Sequence, residues 1–280
     1  MAKKAAELDG DDSSDGADKK GPIGTLTRGL VILDLLIESA RPLTLVEIAS
    51  RTGLDQSTAL RILRSLEEAR YVLRIGRHKE YGPSPKALRP LSHLHPLEQF
   101  RRDALPNLIG LSQKISATVV MALFIETERM VLEIVQKPEA LSPFYKTWMH
   151  RPLHCTAAGK AVLMGMNDEQ RLATLGPGPY ASLTPNTLTT FAALQDDLRI
   201  SAERGYVLAA EEHQIGLSAM AVTIKNWTSQ VIGCLIVTDH ADGMKLREAQ
   251  IAAEMINSAR LLPYQTTSLM GVAQLFGQTG

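Results

Sequence analysis

Apolar and polar residues follow two different periods along this chain, and the switches between them mark its elements. Residues 25–39, TLTRGLVILDLLIES, have helical periodicity with Leu26, Leu30, Leu33 and Ile37 on one apolar face. After the break RPL, Glu47 stands three residues beyond Thr44, a capping-box spacing that starts a short helix at Thr44, and Gly53 ends it. Asp55 is placed to cap the next helix, which is predicted to run to about Ala69. There Ala59, Ile62, Leu63 and Leu66 form an apolar stripe, Ser57, Arg61 and Arg64 point the other way, and Leu60 sits on the border. Two short helices joined at a glycine turn are a helix-turn-helix. The period then shortens to two. Residues 71–75 are strand-like, GRHK is a polar turn, Glu80 and Tyr81 return, and Gly82-Pro83 closes a hairpin that would form the wing of a winged helix.

Residues 84–96 contain three prolines and read as a linker. Beyond it, LEQFRRDALPNLIGLSQKIS predicts a helix interrupted near Pro106. ATVVMALFIE and RMVLEIVQ are strands about the turn ETER, and LSPFYKTWM is a further strand or loop. TAAGKAVLMGM opens a helix, DEQRLATL is a short one, and TFAALQDDLRISAERG is a longer one ended by Gly205. LSAMAVTI and QVIGCLIVT are strands about KNWTS, and a last helix covers about 244–262. Alternation in QVIGCLIVT puts Ile232, Cys234, Ile236 and Thr238 on one face. Helices mixed with antiparallel hairpins predict an α+β sensor-like domain over 97–262, following a winged helix-turn-helix over 24–83. Residues 263–280 are expected to be a loosely held tail. Residues 1–23, with four lysines against six acids and almost no apolar side chains, are expected to be disordered.

The length of 280 residues suits about two domains. Charge balances at 30 basic against 30 acidic residues, but not locally. Residues 56–82 hold Arg61, Arg64, Arg70, Arg74, Arg77 and Lys79 against Glu67, Glu68 and Glu80, an excess of three positive charges where a phosphate backbone would need it. An arginine-bearing amphipathic helix can simply pack on a core with its charges solvated. Following a capped helix and preceding a basic hairpin, it fits the major groove, with its N-terminal residues at the base edges. Gln56, Ser57, Thr58 and Arg61 are the candidates for base contact, and Leu60 for a thymine methyl. Arg64 and Thr58 are candidates for phosphates, and Arg77, His78 and Lys79 on the wing tip for backbone or minor groove. Two cysteines and the lack of an apolar leader or spanning run lead us to expect a reduced, cytoplasmic protein with no membrane partner.

In PLHCTAAGKAVLM, Thr156 can cap a helix that opens with Ala157, Ala158 and Gly159. Such small side chains leave backbone N–H groups open at the positive end of the helix dipole, a seat for a carboxylate. They also suit close packing against a strand. Other residues tempt a chemical reading and do not sustain it. Pro152 separates His150 from His154, His93 and His95 flank the linker, and no Cys/His cluster has zinc spacing, so neither metal nor cofactor is expected. Cys155 next to His154 lacks a placed base and reads as a small buried residue or a contact in a pocket wall. Glu211, Glu212 and His213 read as a hydrogen-bonded loop rather than an acid/base set.

The blocks LTRGLVILDLL, PLTLVEIASRTGLDQSTALRILRSLEEARYVLR and KEYGPSPKAL, then RPLHCTAAGKAVLMGM and ERGYVLAAEEHQIGLSAMAVTI, resemble in order and spacing the IclR-type bacterial transcription regulators, over residues 24–262. The resemblance implies a winged helix-turn-helix, a linker helix and a GAF-like α/β effector-binding domain. It further implies a homodimer or homotetramer on an approximately palindromic double-stranded DNA operator. It places Cys155, Thr156, Ala157, Ala158, Ala209, Ser218, Ala219, Ile236 and Thr238 around the effector, and gives Glu212 the task of holding a loop. Gly205, Glu212 and Ala219 match the family pattern. Ala209 departs where Asp or Ser is usual, Thr223 where Pro is frequent, and Lys225 where an aromatic residue or His is usual. With Ala209, Ala219 and Ile236 the pocket is drier than one built for a tiny polar acid. The expected effector is a carboxylic acid with an apolar or aromatic body, its carboxylate on the Ala157 and Ala158 N–H groups with Thr238 and Ser218 as further donors. The alternatives are a constitutive DNA-binding oligomer whose second domain only assembles subunits, and an enzyme using Cys155.

Overall fold

The computed structural model describes residues 24–75, 79–87, 94–137, 148–149, 152–265, 268 and 272. The chain divides into two compact units, residues 1–90 and 91–280, each described by itself.

The first unit comprises α1 (Thr25–Glu38), α2 (Leu45–Thr52), α3 (Gln56–Glu68), β1 (Val72–Ile75) and β2 (Glu80–Pro83). The Thr44 hydroxyl accepts from the Glu47 N–H and the Glu47 carboxylate accepts from the Thr44 N–H, so the capping box forms as read. Gly53 closes α2 in the left-handed region. Ile32, Leu36, Leu43, Ile48, Ala59, Ile62, Leu63, Val72 and Tyr81 form the core. The stripe of α3 is buried as expected. The face assigned to α1 is corrected: Gly29, Ile32 and Leu36 are buried, whereas Leu26, Leu30 and Ile37 are exposed and only Leu33 packs partly against the core. Apolar residues line most of this helix, and the side bearing Gly29, Ile32 and Leu36 is the one that joins the core with α3. Leu43 bridges Tyr81 and ties the approach to α2 to the hairpin. Ser84 and Lys86, expected in the linker, are bound to this unit: the Ser84 hydroxyl donates to Arg70 O and Lys86 Nζ donates to Ala69 O.

In the second unit, α4 (Pro96–Ile115) precedes the hairpin β3 (Val119–Ile125) and β4 (Glu128–Val135), and β5 (Trp148–Met149) is a two-residue edge strand. Next come α5 (Ala157–Leu163), α6 (Asp168–Leu175), α7 (Phe191–Arg204), β6 (Val207–Ala210), β7 (Leu217–Lys225), β8 (Val231–His240) and α8 (Ala241–Gln265). The sheet has six antiparallel strands in the order β5-β4-β3-β8-β7-β6. Both faces are covered, so β3 is buried nearly throughout. Val119, Met121 and Leu123 meet α4 and α8 on one side; Val120, Ala122 and Phe124 belong to the cluster with α5 on the other.

Three further readings are corrected, and one strand goes unread in the sequence. Helix α4 is not interrupted at Pro106. Pro106 and Arg102, whose carbonyl loses its bond, both lie on the exposed side, where water can satisfy it, while Phe100, Ala104, Leu108, Leu111 and Ile115 hold the other side to the sheet. Residues 207–210 form a strand, β6, which periodicity over four residues did not reveal. The face proposed for β8 fails at Ile232. The register shifts there between Ile224 and Lys225, so Ile232 joins Leu235 and Val237 on the α4/α8 side, leaving Cys234 and Ile236 on the α5 side. The C-terminal stretch is anchored where it is described: α8 runs to Gln265, Ser268 donates to the Asp103 carboxylate, and Val272 is buried in the core.

Phe100 has no solvent exposure and sits between α4 and the sheet. Phe100→Ala is expected to cost about 3–5 kcal/mol of stability, read as a lowered urea midpoint with an unchanged slope.

Candidate nucleic-acid interface and ligand site

In the first unit, α3 turns Gln56, Ser57, Arg61 and Arg64 to solvent, with Thr58 and Leu60 half-buried at the edge. One Asp55 carboxylate oxygen accepts both the Thr58 N–H, at 2.8 Å, and the Ser57 hydroxyl. These bonds hold the Asp55 carboxyl well below the usual carboxylate range. Ser57 is therefore engaged in starting the helix, and Gln56, Arg61 and Arg64 remain the outward-facing polar groups. Lys79 is exposed, with a positive φ of 54° that turns the hairpin tightly. Arg77 and His78 lie outside the described residues. Arg70 and Arg74 are exposed on the same unit.

In the second unit, Thr156 caps α5 by accepting from the Gly159 N–H at 3.1 Å, and its hydroxyl donates to Pro152 O. Gly159 is required by close packing, since a Cβ there would lie 2.5 Å from Cα and O of Leu153. Ala157, Ala158, Ala209 and Ile236 are brought together in one buried cluster with Ala219 against it, and Thr238 stands opposite Ala219 in the ladder, on the same face. Ser218 is not part of this group. It pairs with Asp239 and falls between the positions that face α5, so its side chain is on the α4/α8 side. The reading from the resemblance put Ser218 and Thr238 in one donor set, and strand alternation separates them.

Cys155 is fully buried. Burial, followed by the nearby Glu212 charge, pushes its thiol up to about 11, and burial pushes that of Cys234 up to about 12. Both stay protonated at neutral pH and are poor nucleophiles. Glu211 accepts the Gly216 N–H in a turn, and His154 is buried with its Nε2–H donating to Ala181 O at 3.0 Å. His95 caps α4 by accepting the Leu97 N–H. Among the described residues no three His, Cys, Asp or Glu side chains are grouped so as to hold a metal ion.

The residue that sequence reading missed is Lys160. It has no solvent exposure, and its ammonium donates to Glu212 Oε1 at 2.6 Å and to Asp197 Oδ2 at 2.8 Å. These bonds fasten α5 to α7 and to the loop after β6. The Thr187 hydroxyl adds a bond of 2.6 Å to Glu212 O, so Glu212 holds its loop as the resemblance implied. Burial raises the Glu212 carboxyl above its ordinary range, and the Lys160 charge acts against that shift. The available signal was a lone charge in the otherwise small and apolar run TAAGKAVLM.

The chain matches two family models: the C-terminal domain of the bacterial transcriptional regulator IclR over residues 95–262, and the IclR helix-turn-helix domain over residues 25–76. It is similar to the HTH-type transcriptional regulator XynR of Escherichia coli K12, with 28% identity over 213 residues, covering 76% of this chain and 84% of that one. It is equally similar, at 28% over 206 residues, to the transcriptional repressor IclR of that strain, covering 73% and 75%. Among solved structures, Thermotoga maritima IclR aligns over 86% of this chain and 99% of its own, with a TM-score of 0.66 and 23% identity. An IclR homolog from Microbacterium hydrocarbonoxydans, complexed with 4-hydroxybenzoate, aligns over 85% and 99%, with a TM-score of 0.69 and 21% identity.

Removing the cation from the buried cluster leaves two carboxylates facing each other, a change that costs about 3–5 kcal/mol when one partner of a buried pair is lost. Lys160→Met is expected to destabilise the protein by that amount in chemical unfolding, and Glu212→Leu added to it is expected to restore part of the loss.

Proposed function

Because the chain belongs to the IclR family of bacterial transcriptional regulators, we propose that this DNA-binding regulator reads its operator with α3 and the wing and responds to a small organic acid held by the second unit. The observation that carries the DNA reading is the two-sidedness of α3. It buries Ala59, Ile62 and Leu63, and presents Gln56, Arg61 and Arg64 outward beside a basic hairpin. Arg61 and Gln56 take base edges, Arg64 takes a phosphate, and Lys79 takes the backbone beside the wing. Leu60 and Thr58, at the edge of the helix, take the apolar and phosphate contacts expected of them. The unit acts as one half of a symmetric homo-oligomer on a palindromic site inside the cell.

The acid reading rests on the lining of the α5 side of the sheet, where Ala157, Ala158, Ala209, Ala221 and Ile236 supply apolar surface and little hydrogen bonding. Such a wall suits an aromatic or branched body better than a two- or three-carbon acid. The 4-hydroxybenzoate in the Microbacterium homolog is an acid of this class. An effector that prefers one arrangement of the DNA-binding units by about 1–3 kcal/mol changes operator affinity by roughly 5- to 150-fold.

With an operator selected from random DNA, Arg61→Ala is expected to lose about 1–3 kcal/mol and to blur the base preference. Lys79→Ala is expected to weaken all DNA alike and to reduce the salt slope by about one. Equal losses by both variants on specific and random duplexes would refute the assigned base contacts. In calorimetry, benzoate and branched acids are expected to bind more tightly than glyoxylate or pyruvate, and the reverse ranking would refute the dry pocket.

A further inference from the structure

The carbonyls at the exit of α3 are taken, one after another, by the residues that follow the hairpin. The helix first closes on itself: the Arg70 N–H donates to Glu67 O at 2.9 Å and the Tyr71 N–H to Leu66 O at 2.8 Å, with Arg70 in the left-handed region at a φ of 62°. The next three carbonyls lie beyond the helical ladder. Lys86 Nζ donates to Ala69 O at 2.9 Å, the Ser84 hydroxyl to Arg70 O, and the Ser84 N–H to Tyr71 O at 2.9 Å. The Lys86 ammonium also lies over the Tyr71 ring, 4.3 Å from its centre, where the ring face attracts a cation.

Ser84 builds the seat for that lysine. Its hydroxyl oxygen accepts the Lys86 and Ala87 N–H groups at 3.1 and 3.4 Å, which winds residues 84–87 into a turn. None of these residues belongs to the apolar core of the first unit, and Pro85 and Lys86 are exposed. Apolar burial therefore does not account for the contact of Lys86, and water would satisfy an exposed carbonyl at little cost. What the contact supplies is position. A cation at the C-terminal end of α3 complements the helix dipole, as the Asp55 carboxylate does at the start. The outward row of Gln56, Arg61 and Arg64 is thus held between two charged anchors. The second anchor belongs to the proline-containing segment that leads along the chain into the second unit.

We propose that Lys86, seated by Ser84, is a positioning residue for DNA binding, which clips the C-terminal end of α3 to the first residues of the connecting segment and so fixes the pose in which α3 reads base edges. The proposal rests on the reading of α3 as the DNA-binding helix. Lys86 acts through α3 and not on a phosphate, and it makes operator affinity depend on the state of the segment between the two units.

The test is binding of the full-length protein to a selected operator and to a random duplex across a salt series. Lys86→Met keeps the length of the side chain and removes its charge, and Ser84→Ala removes the seat with no change of charge. Both are expected to lose roughly three- to tenfold in operator affinity, up to the worth of one charged hydrogen bond, while random-duplex affinity and the salt slope stay as they were. Lys86→Arg, which keeps a cation over Tyr71, is expected to retain most of the operator affinity. A salt slope reduced by about one in Lys86→Met, with equal losses on both duplexes, marks a direct phosphate contact and overturns the positioning role. Unchanged operator affinity in both variants overturns it as well, and so does an equal loss on both duplexes at unchanged slope, the mark of a smaller folded fraction. Arg61→Ala, measured alongside, separates the two readings: if it blurs the base preference and the clip variants do not lower the ratio of operator to random affinity, the clip alone fails. If Arg61→Ala leaves the preference intact, the DNA reading of α3 fails and the clip with it. Should Lys86→Met not fold, Ser84→Ala decides alone.

Discussion

A lysine ammonium with no access to water has to be neutralised where it sits, and the position of α5 follows from that demand. Lys160 reaches Glu212 and Asp197 from the outer side of α5, while Ala157, Ala158, Ala161 and Val162 press the inner side onto the sheet. Two carboxylates on separate elements thereby fix one short helix. A seven-residue helix has little stability of its own, so tertiary contacts supply it. The small residues at its start permit the close approach, and Gly159 against the Leu153 backbone leaves no room for a larger one. Whatever binds on this side of the sheet meets a wall set by that ion cluster.

The two faces of the sheet are built differently. Toward α4 and α8 the residues are large: Phe100, Leu108, Met121, Met220, Leu235 and Met255 interdigitate in the main core. Toward α5 they are mostly small, with Ala122, Ala209, Ala221 and Cys234 prominent. Large side chains on both sides would stabilise the domain further by burial. Instead one face is packed with large side chains, and the other carries a thinner apolar layer of mostly small ones.

The first unit solves a smaller version of the same problem. Its three helices share one core, and its hairpin is held through Val72, Tyr81 and the Leu43 bridge. Since α3 contributes only one stripe to that core, its remaining face is left for a partner. Asp55 and Ser57 fix where the helix begins, so the side chains just beyond them emerge at set positions.

Interactions spanning a few residues were legible in the sequence. The Thr44–Glu47 box, the Asp55 and Thr156 caps, the helix ends at Gly53 and Gly205, and the hairpins on either side of ETER and KNWTS depend on neighbours within one turn. So was the apolar stripe of α3, whose opposite side is too polar to compete. Where a helix is apolar on most sides, as α1 is, only the core it shares with its partners decides which stripe is buried, and here Ile32 and Leu36 join Ile62 in it. Strand alternation was readable until a bulge in the β7–β8 pairing moved Ile232 across the sheet, and the same alternation put Ser218 on the α4/α8 side. Lys160 was invisible as an anchor because its meaning lies in burial and in partners contributed by other elements. Asp197 and Glu212 are 37 and 52 residues from Lys160 along the chain. Local sequence determined where elements start and stop; the tertiary fold decided which faces meet, because desolvation and pairing act between residues that only folding brings together.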